Sequence, residues 1–231
     1  MASDRPSARE LTAADLQPTA DGSLTLRSQR FGQTYGSAFG AEAQARQVFV
    51  AGTGVATLAR PRVLEIGFGV GQNLRATLSA RGEGGPLDYL AYEYDPVAAG
   101  LLAELSQGSA GAEHPVWQEV LLSWPPPPGG ELQIGVRQQL LRVRQMNVLT
   151  AELPLDWADA VYLDGFSPEA NPELWTEEFL ARVAQALRPG GVVATYSAAG
   201  RVRRALQAAG LQVEKCPGPP GKREFLRAVR P

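Results

Sequence analysis

Glu65-Ile66-Gly67-Phe68-Gly69-Val70-Gly71 is the stretch on which the fold turns. The apolar run Arg62–Ile66 enters three alternate glycines, and residues 73–80 follow with helical spacing, so a strand passes through a tight turn into a helix. Glycines at such a turn let backbone N–H groups approach a ligand with no Cβ in the way. The same pattern also occurs at strand ends that bind nothing. Working outward, Leu87–Glu93 reads as a second strand, residues 95–105 as an Ala/Leu-rich helix, and Ala158–Leu163 as a buried strand. A helix over 173–187 stops at Arg188-Pro189-Gly190-Gly191. A strand at 192–195, a helix at 201–209 and an antiparallel pair, 211–215 with Glu224–Val229, complete the pattern. Alternating strands and helices predict an α/β domain with a mostly parallel sheet covered on both faces.

Upstream, residues 1–15 read as a flexible N-terminus and 16–60 as an extension to the main domain, which occupies 61–231. Asp21-Gly22 is a hairpin signal, and 41–58 is predicted helical with a break at Gly52-Thr53-Gly54. Residues 124–144 read as an inserted hairpin, with prolines and glycines at 125–130 ahead of two short strands.

Composition excludes several chemistries. The 231 residues hold one cysteine and one histidine, so neither an internal disulfide nor a Cys/His metal cluster is expected. His114, beside Pro115, reads as a surface residue rather than a catalytic one, which argues against a zinc hydrolase or a Ser/His/Asp enzyme. No apolar run is long enough to span a membrane, and residues 1–10 lack the apolar core of a signal peptide; a cytoplasmic protein is the expectation. Net charge of −2 gives no broad affinity for polyanions but permits a local basic patch.

The glycine turn departs from the dinucleotide fingerprint, which needs glycine where Gln72 stands, and no Gly-Lys-Ser/Thr follows to make a phosphate loop. An acid two places before the first glycine, Glu65, suits a cationic ligand, and S-adenosylmethionine carries both a sulfonium and an ammonium. Glu93 ends the second strand, where a carboxylate can accept hydrogen bonds from both hydroxyls of a ribose; a solvated strand-end acid is the plainer alternative. Asp164 lies at the carboxyl end of a third strand, within Tyr162-Leu163-Asp164-Gly165-Phe166-Ser167-Pro168, followed by Asn171-Pro172-Glu173-Leu174-Trp175. Asn171 with Pro172 also fits a helix cap.

With those residues in view, the chain resembles the methyltransferase domain of the MnmC family from about residue 24 to 226. The matching pieces are Arg30-Phe31 with Tyr35, Glu65 to Gly71, Trp124-Pro125-Pro126, Asp164 to Pro168 with Asn171-Pro172 and Trp175, Ala198-Ala199-Gly200 with Val202-Arg203-Arg204, and Gly221-Lys222-Arg223-Glu224. The resemblance implies a Rossmann-like class I fold, with a mostly parallel seven-stranded sheet, an antiparallel last strand and a small N-terminal hairpin. It also implies S-adenosyl-L-methionine as cofactor, no metal, and tRNA as partner. The implied reaction is methylation of the primary amine of 5-aminomethyl-(2-thio)uridine at the wobble position, by a stand-alone form without the flavin oxidase domain.

On this reading Glu65, Gly67, Phe68, Gly69, Gly71, Asn73, Glu93, Asn147 and Asp164 are the cofactor candidates. Asn147 stands where the family usually has an acid. Asp164 is the catalytic candidate, holding the amine by a hydrogen bond. Tyr35, Phe166 and Trp175 are candidates for stacking on a splayed-out base, and Lys222 and Arg223 for phosphate contacts. Arg137, Arg142, Arg144, Arg201, Arg203 and Arg204 can extend a basic face, although solvated element faces explain scattered arginines equally well. A methyltransferase for a small-molecule amine and a non-catalytic cofactor-binding scaffold remain alternative readings.

Overall fold

The computed structural model describes residues 11–231. Most of the expected flexible N-terminus, residues 1–10, lies outside them. Strands β1 (Leu16–Pro18) and β2 (Leu24–Leu26) pair as the expected hairpin, with Gly22 at φ 83° in its turn. The next helix begins as α1 (Ala41–Gln44) and continues with π geometry over Ala45–Ala51. It ends at Gly54, whose left-handed backbone leads into a short 3₁₀ turn, Val55–Thr57.

The main sheet contains β3 (Arg62–Ile66), β4 (Leu87–Glu93), β5 (Glu131–Val136), β6 (Gln139–Gln145), β7 (Ala158–Leu163), β8 (Leu187–Thr195), β9 (Gln212–Pro217) and β10 (Glu224–Val229), in the spatial order β5-β6-β4-β3-β7-β8-β10-β9. Strands β6, β4, β3, β7 and β8 are mutually parallel, and β10 runs antiparallel to β8. The sheet has eight strands where seven were expected. The segment read as an inserted hairpin is the reason: β6 pairs along its whole length with β4 as a parallel strand of the domain, and only β5 is an antiparallel addition on the edge. Alternating burial along β6 disguised it, because its second face lies near the sheet edge and carries Arg142 and Arg144.

Helices α2 (Gln72–Arg81), α3 (Ala99–Ser106) and α4 (Pro115–Ser123) cover one face, and α5 (Glu177–Ala186) and α6 (Gly200–Ala208) the other. Strand alternation sorts the core: Val63, Tyr89 and Tyr162 face the first layer, whereas Leu64, Ile66 and Leu163 face the second. Fully buried leucines such as Leu74, Leu102 and Leu180 each contribute roughly 1.5–3 kcal/mol through the hydrophobic effect.

Helix α4 had no expectation, and it corrects the reading of His114. That imidazole is buried, not on the surface: it caps α4, its Nδ1 accepting from the Val116 N–H, while Pro115 occupies the first helical position. Asn171 makes no side-chain cap. The cap of α5 is Thr176, whose hydroxyl accepts from Phe179 N–H at 3.2 Å.

Candidate functional site

The carboxyl ends of β3, β4, β7 and β8 open on one cleft of about 770 Å³, walled on the far side by residues 27–37. The glycine turn forms its floor. The Gly67 and Phe68 N–H groups both donate to the Tyr92 carbonyl, at 3.1 and 3.2 Å, which ties the turn to β4. Phe68 stacks on Trp124 with centroids 5.0 Å apart, and Trp124 donates through Nε1 to the Val97 carbonyl, so the Trp-Pro-Pro segment buttresses the turn from behind. Gly67 has φ 93°, and a Cβ there would lie 2.9 Å from the Asp164 carbonyl oxygen. Gly69 has φ 54°, and its Cβ would meet the Tyr35 ring at 3.0 Å. Glycine at these two places permits the close approach of three segments.

Three carboxyl groups meet around this floor. Asn73 Nδ2 donates to Glu65 Oε1 at 2.9 Å and to Asp164 Oδ2 at 2.7 Å, spending both of its hydrogens on acids from neighbouring strands. Glu65 accepts a further hydrogen bond from the Tyr89 hydroxyl at 2.8 Å, and its complete burial holds its carboxyl well above the ordinary range. Burial likewise pushes Asp164 up to about 7, although the Asn73 hydrogen bond and the charge of Lys222 pull the other way. Glu93 accepts from the Gly69 N–H through one oxygen and the Asp95 N–H through the other, each at 2.7 Å; burial outweighs these bonds and raises it.

The far wall is locked to the Asp164 loop. Gln33 Nε2 donates to Ser167 Oγ at 2.9 Å while Ser167 N–H donates back to Gln33 Oε1 at 3.1 Å. Phe31 stacks on Phe166 at 4.5 Å, and Tyr35 tilts against the same ring at 5.2 Å. The Arg30 guanidinium lies 4.4 Å from the centroid of Tyr94, an exposed ring at the cleft mouth. Gln33 and Tyr94 were not singled out from sequence, yet both lie beside residues that were. Tyr196 was also missed: its hydroxyl donates to the Gly165 carbonyl at 2.9 Å, and Lys222 Nζ sits 3.8 Å from its ring centroid.

Of the expected site residues, Tyr35, Gly67, Phe68, Gly69, Asn73, Glu93, Asn147, Asp164, Phe166 and Lys222 line the cleft. Four do not. Glu65 points into the first core layer, because it shares the face of Val63, and reaches the cleft only through Asn73. Gly71 starts α2 with a left-handed backbone, and a Cβ there would strike Trp117 at 2.5 Å, so it is a packing glycine. Trp175 is buried under the Asp164 loop, donating to the Phe166 carbonyl at 2.9 Å. Arg223 is exposed outside the cleft, because the turn closed by the Lys222 N–H on the Pro219 carbonyl and the Gly218 N–H on the Arg223 carbonyl aims Lys222 inward and leaves Arg223 outside. Asn147 already has its Oδ1 engaged by Leu149 N–H at 3.0 Å. Of the arginines expected on a basic face, Arg137, Arg142, Arg144 and Arg201 are paired with Glu83, Asp88, Glu131 and Glu169. Among the described residues Arg203, Arg204 and Arg223 form no ion pair.

The lining fits a nucleoside cofactor carrying positive charge. Glu93 keeps unused lone pairs beside the glycine turn, and Asp164 supplies a second acid. Gln72 and Gln44 also line the cleft, adding side-chain amides to the two acids.

A family model described as S-adenosyl-L-methionine-dependent methyltransferase matches residues 112–231. The chain is 41% identical, over 86% of its length, to the tRNA 5-methylaminomethyl-2-thiouridine biosynthesis bifunctional protein MnmC of Paracidovorax citrulli. It is 36% identical, over 94% of its length, to the protein of that name from Caulobacter vibrioides. It spans 33% and 39% of those two relatives. Among solved structures, MNMC2 from Aquifex aeolicus superposes with a TM-score of 0.72 at 24% identity, covering 94% of this chain and 70% of that one. Spermidine synthase from Thermotoga maritima superposes with a TM-score of 0.54 at 16% identity, covering 90% and 68%.

Proposed function

Because the chain belongs to the S-adenosyl-L-methionine-dependent methyltransferase family, we propose that it methylates the primary amine of 5-aminomethyl-(2-thio)uridine at the wobble position of tRNA. The observation that carries this reading is the placement of Asp164. Its carboxyl group, fixed by Asn73, lies in the cleft between the glycine turn and the aromatic wall of Tyr35 and Phe166. The names of the curated relatives support the nucleoside. No helix among the described residues is long and apolar enough to cross a membrane, and action in the cytoplasm, on a tRNA, is part of the proposal.

When bound, S-adenosyl-L-methionine supplies a methyl group already activated by its sulfonium. The residues that would hold it are Glu93, toward the ribose hydroxyls, and the backbone of Gly67 to Gly69. On the substrate side Phe166 and Tyr35 offer ring faces to a base taken out of its stack. Asp164 accepts a hydrogen bond from the amine and orients its lone pair. Only the unprotonated amine is nucleophilic, so Asp164 acts mainly by positioning. A closed, aligned pocket is the larger part of what a protein contributes to such a transfer.

The test is incubation of the purified protein with labelled cofactor and tRNA from a strain that lacks the modification. Label should appear in 5-methylaminomethyl-(2-thio)uridine on nucleoside analysis. Label confined to small molecules would sink the tRNA substrate.

A further inference from the structure

Lys222 is the one lysine that lines the cleft, and its surroundings are built rather than incidental. Its N–H donates to the Pro219 carbonyl at 2.9 Å, and the Gly218 N–H donates to the Arg223 carbonyl at 3.0 Å, closing a turn on either side of it. Gly221, at φ 80°, is pressed against Phe39, leaving no room for a larger residue. The ammonium rests on the face of Tyr196, and Tyr196 is held by the carbonyl of Gly165, the residue after Asp164. A phosphate contact would call for an exposed cation, and Arg223 next door is that residue.

We propose that Lys222 is the counter-ion of Asp164 in the working site, and that its positive charge keeps the incoming amine in the neutral, nucleophilic form. The inference rests on the amine methylation read above. A carboxylate that positions an amine also favours its ammonium form, which cannot attack. An alkylamine resembling lysine, with a pKa of about 10.4, is already almost wholly protonated near neutrality. Asp164 alone would make this worse. With an ammonium on the other side, the carboxylate's field is offset, and a second cation in the same buried space is disfavoured. The entering ammonium gives its proton to water, and the neutral amine stays, held by Asp164.

The charges facing this pair are consistent with it. Burial lowers Lys222 to about 8, against the pull of Asp164, so both members change state close to neutral pH. Asp164 acts on Glu65 of β3, Glu169 acts on Tyr196 from the following loop, and Glu93 stands at the end of β4. Burial holds the Glu65 carboxyl well above the ordinary carboxylate range, against its hydrogen bonds from Asn73 and Tyr89.

Two measurements decide the matter. The first is the pH dependence of kcat at saturating tRNA and cofactor, which reads ionisations in the bound complex, for the unaltered protein and for Lys222→Met on tRNA bearing aminomethyluridine, with equal cofactor affinity as the check on folding. The acidic limb should move up by about one pH unit in the variant, a rate loss of about tenfold near pH 7 that closes by about pH 10. A loss of the same factor at every pH would overturn the inference and return Lys222 to a phosphate or packing role. The second needs no variant: binding heats of the unaltered protein in buffers of different ionisation enthalpy. At pH 7, RNA with aminomethyluridine should release about one proton more than the same RNA with plain uridine. Equal release would overturn the inference. Absence of any methyl transfer by the unaltered protein would sink both this and the reading beneath it, whereas transfer with parallel pH profiles sinks only this.

Discussion

Asn73 spends one side-chain amide on two carboxyl groups, and that economy makes single residues around it unusually informative. Asp164→Ala removes the group aimed at the substrate but leaves Glu93 and the glycine turn in place. Methyl transfer should fall by about 100-fold or more, within the range of a lost positioning group. Cofactor affinity by calorimetry should change by less than about threefold, and an equal loss of both would move Asp164 to the cofactor side. Glycine substitutions separate backbone strain from crowding. Gly82 has φ 66° with open space around its missing Cβ, whereas Gly67 has φ 93° and faces the Asp164 backbone. Gly82→Ala should cost about 1–3 kcal/mol in urea unfolding, the penalty of a backbone at φ 66° and ψ 174° that only glycine adopts readily. Gly67→Ala should cost clearly more, since backbone on both sides of the contact cannot swing away. Near-equal losses would mean that the approach of β3 to β7 is looser than the geometry indicates.

The hairpin and its helix act as a single element, held together by Asp21. One carboxylate oxygen accepts from Thr19 Oγ1 and Ser23 Oγ at 2.6 Å each, and the other accepts from the Ala43 N–H at the start of α1 at 3.0 Å. Burial opposes ionisation, but these hydrogen bonds prevail and hold Asp21 at about 2. A depressed carboxyl group stabilises the fold above its unfolded value and loses that contribution as pH falls. Asp21 should therefore contribute fully above about pH 4 and fade toward pH 2. For so exposed a group the contribution is roughly 1 kcal/mol after allowance for solvent screening. Thermal melts of Asp21→Asn against the unaltered protein should differ at pH 6 and converge near pH 2; a constant gap would assign the effect to packing.

At this scale the sequence was legible where a local signal settled the structure. Asp21-Gly22 announced its hairpin and the glycines their turn, each from chemistry confined to a few residues. What could not be seen depended on distant partners. Strand β6 looked like half of a hairpin because its parallel partner β4 lies about fifty residues upstream. Glu65 looked like a ligand-binding acid because nothing in its own segment says that Asn73 and Tyr89 will consume it. Trp175 and Arg223 carried the right residue types, and only the turn geometry decided that one went under the loop and the other outward.

Over the whole molecule, charge is distributed with a bias that the net value of −2 conceals. Half of the arginines among the described residues are consumed in ion pairs, while Arg27 and Arg30 stand on one rim of the cleft and Arg203 and Arg223 are exposed, feeling Glu224 only through its field. Affinity for tRNA should fall linearly on a log–log plot against salt, with a slope of about −0.7 per phosphate engaged in a single-stranded loop. Arg27→Ala and Arg223→Ala should each flatten the line by about one such contact while leaving affinity for the cofactor unchanged. A slope insensitive to both would place the polyanion elsewhere.

The far wall of the cleft comes from residues 27–37, and its opposite lip from residue 222. Gln47 Nε2 reaches the Pro217 carbonyl, and Arg227 Nε reaches that of Gly52, so early and late parts of the chain are stitched directly to one another. The hairpin and its helix can pack on α2 and α3 early in synthesis, and the far wall can meet the Asp164 loop once residue 167 is made. The lip that carries Lys222 comes only with the last residues, so a nascent chain stalled before residue 217 holds the glycine turn and one wall of a chamber still open on its other side.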